Sequence, residues 1–117
     1  MNVVLSLDAN WQPAATVDIP AALAPWLLEP ASLTARLKAY SHSFHLQVLQ
    51  ENQAILPDFL KSSFTQPIGQ CLRREVLMFC NDQPAVYAQS WLPQATLQQV
   101  QALSALGEQP LGELLFQ

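Results

Sequence analysis

Residues 71–92 read CLRREVLMFCNDQPAVYAQSWL, and the pattern of this stretch decides the fold. Cys71 to Phe79 is rich in apolar residues, Asn81-Asp82-Gln83 has turn chemistry, and Pro84 to Leu92 alternates. Two strand-like runs about a short polar turn predict a β-hairpin. Neighbouring side chains of a strand point to opposite faces. Arg74 therefore shares a face with Leu72, Val76 and Met78, and Arg73 shares the other with Cys71, Glu75, Leu77 and Phe79. A guanidinium in an apolar row is costly when it is desolvated without a partner. Glu75 points the other way and does not neutralise it. Two readings follow from the residues. Arg74 sits near the strand end or meets an acid from elsewhere in the chain, or it waits for an anionic ligand, whose carboxylate its planar fork matches bidentately. Arg73 and Glu75, two residues apart, are expected to screen each other on a solvent face.

Working outward, Ser43 to Gln50 (SFHLQVLQ) places Phe44, Leu46 and Val48 on one face and His45 and Gln47 on the other. That is the pattern of a half-buried antiparallel strand, with a turn expected at Glu51-Asn52-Gln53. Residues 54–69 carry Pro57, Pro67 and Gly69 and read as an irregular connection; long loops of this kind tend to be functional. Upstream, Pro20 and Pro25 bracket a short turn, and Trp26 to Tyr40 (WLLEPASLTARLKAY) reads as helical. Ser32 is the expected N-cap for the part carrying Leu33, Arg36, Leu37 and Tyr40. Downstream, Thr96 and Gln99 form a T-x-x-Q capping box, and Leu97, Val100, Leu103 and Leu106 form an apolar stripe ending at Gly107. The strict spacing of three drifts around a 3.6-residue helix. GEQPLGELLF closes the chain as a turn and a short apolar segment. The order predicts an α+β fold, an antiparallel β-sheet with helices on one side, in a single domain over residues 1–117 whose residues 1–20 form an extended lead-in.

Composition narrows the function classes. Of 117 residues, 50% are hydrophobic and 12% charged, enough apolar material for a core. Five Lys and Arg against nine Asp and Glu give a net charge of −4 and no basic stripe, which argues against phosphate-led nucleic-acid binding and a polybasic membrane surface. No run approaches the roughly 18 apolar residues of a membrane span. MNVVLSLDANWQP has no basic opening and is interrupted by Asp8, so no secretory signal is read and a cytoplasmic location is expected. Cys71 and Cys80 fall at the two ends of one strand, on opposite faces and up to about 30 Å apart at about 3.3 Å per residue, beyond disulfide reach; two buried, reduced thiols are expected. Without a CxxC or a Cys/His pair, structural zinc is not expected. His42 and His45 read as surface residues. Gly69, Gly107 and Gly112 are too isolated for a phosphate loop or a dinucleotide fingerprint. Trp11, Trp26 and Trp91 read as core or interface anchors.

Three blocks carry a resemblance. WLLEPASLTARL (residues 26–37) resembles W-L-L-x-x-x-S-[ML]-T-x-R, CLRREVLMFCNDQPAVYAQSWLP (residues 71–93) resembles an L-R-E hairpin followed by proline, and LGEQPLGELLF (residues 106–116) resembles L-G-x-x-P-L-G-x-x-L-F. In this order and spacing the chain is similar to the chorismate pyruvate-lyases, cofactor-free enzymes that convert chorismate to 4-hydroxybenzoate and pyruvate at the start of ubiquinone biosynthesis. The resemblance implies that Arg74, the arginine preceding Glu75, holds the product's carboxylate, and that backbone groups at Leu33 and Leu111 help cradle the ligand. The family glutamate that contacts the phenolic hydroxyl end of the product falls past Gln117, so no catalytic residue is assigned; Glu113 lies inside the signature and is no substitute. Family members continue for a few dozen residues through further strands. The expectation is therefore a sheet incomplete at its C-terminal side, and either a monomer, as in the family, or pairing of open edges with another chain. A second expectation is a non-catalytic domain of the same fold that binds aromatic carboxylates. No metal, cofactor or nucleic-acid partner is implied.

Overall fold

The computed structural model describes residue 7 and residues 9–115. Residues 1–6 and 8 of the expected lead-in, and Phe116 and Gln117 of the terminal signature, lie outside the described residues. What is described of the lead-in is irregular, with one 3₁₀ turn at Ala14–Thr16. In chain order the elements are α1 (Ala24–Leu27), α2 (Leu33–Tyr40), β1 (Phe44–Ile55), α3 (Asp58–Lys61), β2 (Gln70–Cys80), β3 (Gln83–Pro93), α4 (Gln94–Gln99) and α5 (Leu111–Leu115). The three strands form one antiparallel sheet in the order β1-β2-β3. With its helices this is the expected α+β class.

The hairpin forms as its residues dictate. Asn81 and Asp82 take φ of 51° and 63°, the pair of left-handed residues that a two-residue turn matching strand twist requires. Gln83, expected in the turn, is already in β3. Asn81 also ties the turn to the start of β1. Its Oδ1 accepts from the backbone N–H groups of His42 (2.8 Å) and Ser43 (3.1 Å), and its own N–H donates to the Ser43 carbonyl.

The expected turn at Glu51-Asn52-Gln53 is not one. β1 continues to Ile55, and the irregularity is a β-bulge at Leu49, which has no partner between Val48↔Val76 and Gln50↔Glu75. A second bulge leaves Ala85 unpaired in β3, between Phe79↔Pro84 and Met78↔Val86. An extra residue reverses inside–outside alternation beyond it. Stepping evenly from Phe44↔Cys80 would set Gln50 opposite Arg74; the observed neighbour is Glu51. Stepping evenly from Cys80↔Gln83 would set Gln89 there; the observed neighbour is Ser90. The two bulges thus exchange two glutamines for an acid and a hydroxyl beside Arg74.

The helical stretch Trp26 to Tyr40 is broken in two. Pro30 disfavours helical backbone at the residue before it, so α1 ends at Leu27 and α2 restarts after Ser32, whose Oγ accepts from the Ala35 N–H at 3.1 Å. The T-x-x-Q capping box does not form. Pro93 precedes α4 without a side-chain cap, and the chain leaves the helix at Val100 (φ −125°, ψ 86°) to continue as a 3₁₀ helix over Gln101–Ala105. Three residues per turn suits a spacing of three, but of the stripe only Leu103 lies in this 3₁₀ helix. Leu103 and Leu106 are buried and Val100 is exposed. Gly107 follows with φ of 54°, as a helix stop demands.

The main core lies on one face of the sheet. Leu37 of α2 packs on Leu46, Val76, Met78 and Cys80, bordered by Trp26, Leu33, Phe44 and Val86. Cys71 and Cys80 are buried and free. Trp11, expected as an anchor, is exposed. Trp26 stands edge-on to Tyr40 at 5.3 Å, with the Arg36 guanidinium 4.9 Å above its ring. His42 and His45 are exposed, and His45 stacks on Phe79 at 4.5 Å. Arg73 is not a free solvent-face charge. It donates to Gln50 Oε1 at 3.0 Å, lies 3.4 Å from Glu75 and covers the Trp91 ring, half-buried.

Candidate functional site

Arg74 occupies the centre of the middle strand and is only 2% exposed. Its Nη1 donates to Glu51 Oε2 at 3.4 Å, and its Nη2 donates to the Gln109 carbonyl at 2.9 Å. An acid does reach Arg74, so that part of the sequence reading holds, whereas its location near the strand end does not. The pairing is nevertheless weak. Charge-assisted N–H···O bonds run to about 2.7–2.9 Å, and the Glu51 side chain keeps 29% of its surface in solvent. A guanidinium has five N–H donors, and these contacts engage two of them. Among the described residues the buried cation is thus paired with one partly solvated acid and one carbonyl.

The guanidinium borders a cavity of about 120 Å³. Leu46, Val76, Met78, Ala88 and Ser90 form the sheet side with Arg74; Thr34 of α2, Pro110, and Leu111 and Gly112 of α5 form the helical side. The Lys38–Glu113 ion pair joins α2 to α5. The volume is close to the roughly 150 Å³ of an engineered apolar cavity that accepts benzene, so it suits a single six-membered ring. An apolar box with one buried cation and two hydroxyls, on Thr34 and Ser90, matches a small aromatic or pre-aromatic acid. Around Arg74, the low-dielectric walls strengthen attraction for a carboxylate.

Of the sequence-predicted site residues, Arg74 and Leu111 border this cavity. Leu33 does not; its neighbour Thr34 takes that place. Leu33 instead faces a second, apolar cavity of about 430 Å³, bounded by Leu23, Trp26, Tyr40 and Val86 among others. The Leu33 backbone still belongs to the first turn of α2, whose N–H groups point away from the helix. Glu51, Ser90 and Thr34 are not singled out by the sequence. The bulges hide the first two, and Thr34 stands in the S-[ML]-T-x-R block with no role assigned to it. Among the described residues, no cluster of three His, Cys, Asp or Glu is placed to hold a metal ion, and no helix is long and apolar enough to cross a membrane.

The family profile described as chorismate lyase matches residues 5–117. The chain belongs to the chorismate lyase family. It is 42% identical over 119 residues to a probable chorismate pyruvate-lyase of Pseudoalteromonas translucida, an alignment covering 97% of this chain and 63% of the relative. A probable chorismate pyruvate-lyase of Idiomarina loihiensis is 36% identical over 113 residues, covering 96% of this chain and 58% of that protein. One of Shewanella amazonensis is 43% identical over 96 residues, covering 81% and 49%. The chain thus spans about half to two thirds of the length of these chorismate lyase relatives.

Proposed function

We propose that this chain carries the carboxylate-binding part of a chorismate pyruvate-lyase, which turns chorismate into 4-hydroxybenzoate and pyruvate in the cytoplasm at the start of ubiquinone biosynthesis. The observation that carries the reading is Arg74, a buried guanidinium held by one long contact to a partly solvated acid and lining a one-ring cavity in a chain of this family. Arg74 anchors the ring carboxylate. Thr34 of α2 and Leu111 of α5 close the other side, and backbone groups at Leu33 and Leu111 help cradle the ligand. In the reaction the enolpyruvyl ether C–O bond breaks and one ring proton is lost. The ring becomes aromatic, and the enolpyruvyl unit gains a proton and departs as pyruvate. Aromatisation supplies the driving force, so the protein's task is positioning and charge stabilisation, with no cofactor called for.

Incubating the folded protein with chorismate and measuring 4-hydroxybenzoate tests this. Product above the spontaneous rate is expected, and product at that rate removes the catalytic reading. Among the described residues the cavity lining holds no carboxylate or imidazole to move a proton, and this favours one second reading, a domain that binds aromatic carboxylates without turnover. Calorimetry with 4-hydroxybenzoate separates the two from neither. Arg74→Ala is expected to weaken binding at least about tenfold, as loss of a charge-assisted contact requires.

A further inference from the structure

The Thr34 side chain is out of place as a core group. Only 5% of the residue is exposed, and among the described residues the contact of its hydroxyl is the Met78 Sδ at 4.0 Å. A thioether is a weak acceptor. A threonine inside a helix normally bonds a carbonyl three or four residues back, but Thr34 is the second residue of α2 and the chain before it is not helical. A buried hydroxyl without a proper partner costs stability. Valine has nearly the same shape and would suit Leu46, Val76 and Met78 better.

Thr34 instead lines the Arg74 cavity, and the fold leaves room beside its hydroxyl. Gly112 abuts it, and a methyl group there would stand 3.3 Å from Thr34 Oγ1. We propose that Thr34 is a ligand-contact residue whose hydroxyl hydrogen-bonds an oxygen of the acid held by Arg74. The proposal rests on the reading of this cavity as an aromatic-acid site and adds the group that completes its polar contacts. An oxygen from the ligand satisfies the hydroxyl, so a cost to folding becomes a contribution to binding.

Thr34→Val and Thr34→Ser test this, with melting temperature measured without ligand and calorimetric affinity measured for 4-hydroxybenzoate. Thr34→Val is expected to melt at or above the parent and to bind about fivefold more weakly, the worth of one hydrogen bond. Thr34→Ser, which keeps the hydroxyl, is expected to bind within about twofold of the parent. Parent-like binding by Thr34→Val overturns the proposal. So does a Thr34→Val protein that unfolds or melts well below the parent, because the hydroxyl is then structural. Equal losses in both variants also overturn it, because the methyl contact then matters rather than the oxygen. A parent protein that does not bind 4-hydroxybenzoate at all overturns the aromatic-acid site itself, an outcome distinct from parental binding that Thr34→Val leaves unchanged.

Discussion

At the scale of single residues, Arg74 and Glu51 are unequal partners. Arg74 is buried, while Glu51 reaches water. Removing the acid strands a desolvated cation with one carbonyl, whereas removing the cation leaves an acid that hydrates. Glu51→Ala is therefore expected to lower stability by about 1–3 kcal/mol in urea titrations. Arg74→Met, apolar and of similar length, is expected to be neutral or stabilising, as buried ion pairs replaced by packed apolar groups often are, and to lose 4-hydroxybenzoate binding. An Arg74→Met protein that fails to fold would show that the guanidinium is structural. Gly112→Ala should keep the fold but narrow the cavity against Thr34, so its defect should appear in ligand affinity and not in melting temperature. Alternation alone picks out Arg74, because β2 is regular from Gln70 to Cys80. Its flanking residues are not legible in the same way. Each sits past a bulge, and neither Leu49 nor Ala85 differs chemically from an ordinary strand residue.

At the scale of elements, α2 has the clearest local code. The sequence pattern marks Ser32 as its cap, and the cap bond is present. Ser32→Ala removes it and is expected to cost about 1 kcal/mol, read as a lower urea midpoint at unchanged slope. Because Thr34 lies in the capped turn, the same variant should also weaken ligand binding. Parental stability in Ser32→Ala would mean that packing on Leu37 alone holds the turn. The segment after β3 departs from its sequence pattern for a physical reason. A capping-box pattern at Thr96 and Gln99 competes with Pro93, whose fixed φ starts a helix earlier, and a spacing of three fits a 3₁₀ helix better than an α-helix. The hairpin turn shows the opposite case. Asn81-Asp82 without glycine is a weak turn signal, yet both residues adopt left-handed backbone because Asn81 is anchored to His42 and Ser43.

At the scale of the whole molecule, titration acts from both ends of the pH range. The Ala31 N–H, and then Arg36, hold the Glu29 carboxyl below its ordinary value; hydrogen bonding and charge from Lys61 do the same for Asp58. A depressed carboxyl stabilises the fold above its unfolded pKa and loses that contribution as pH falls through the folded value. Both are surface interactions, so the acid limb should be shallow and weakened by salt. At the other end, burial pushes the Cys71 thiol and the Tyr87 phenol up. A raised acid favours its neutral form in the fold. Its contribution is complete below the unfolded pKa and declines as pH rises from there toward the folded value, because the unfolded chain then releases the proton more readily. Cys71 has no exposed surface, so this alkaline loss requires the chain to open. The expected result is a melting temperature that falls above about pH 8.5, where a free thiol begins to ionise. A thiol reagent should modify Cys71 only at the rate of unfolding, and Cys71→Ser should remove the part of the alkaline decline that begins there. Rapid labelling of Cys71 in the native protein at pH 8 would contradict its burial at the junction of β2 with β1 and β3.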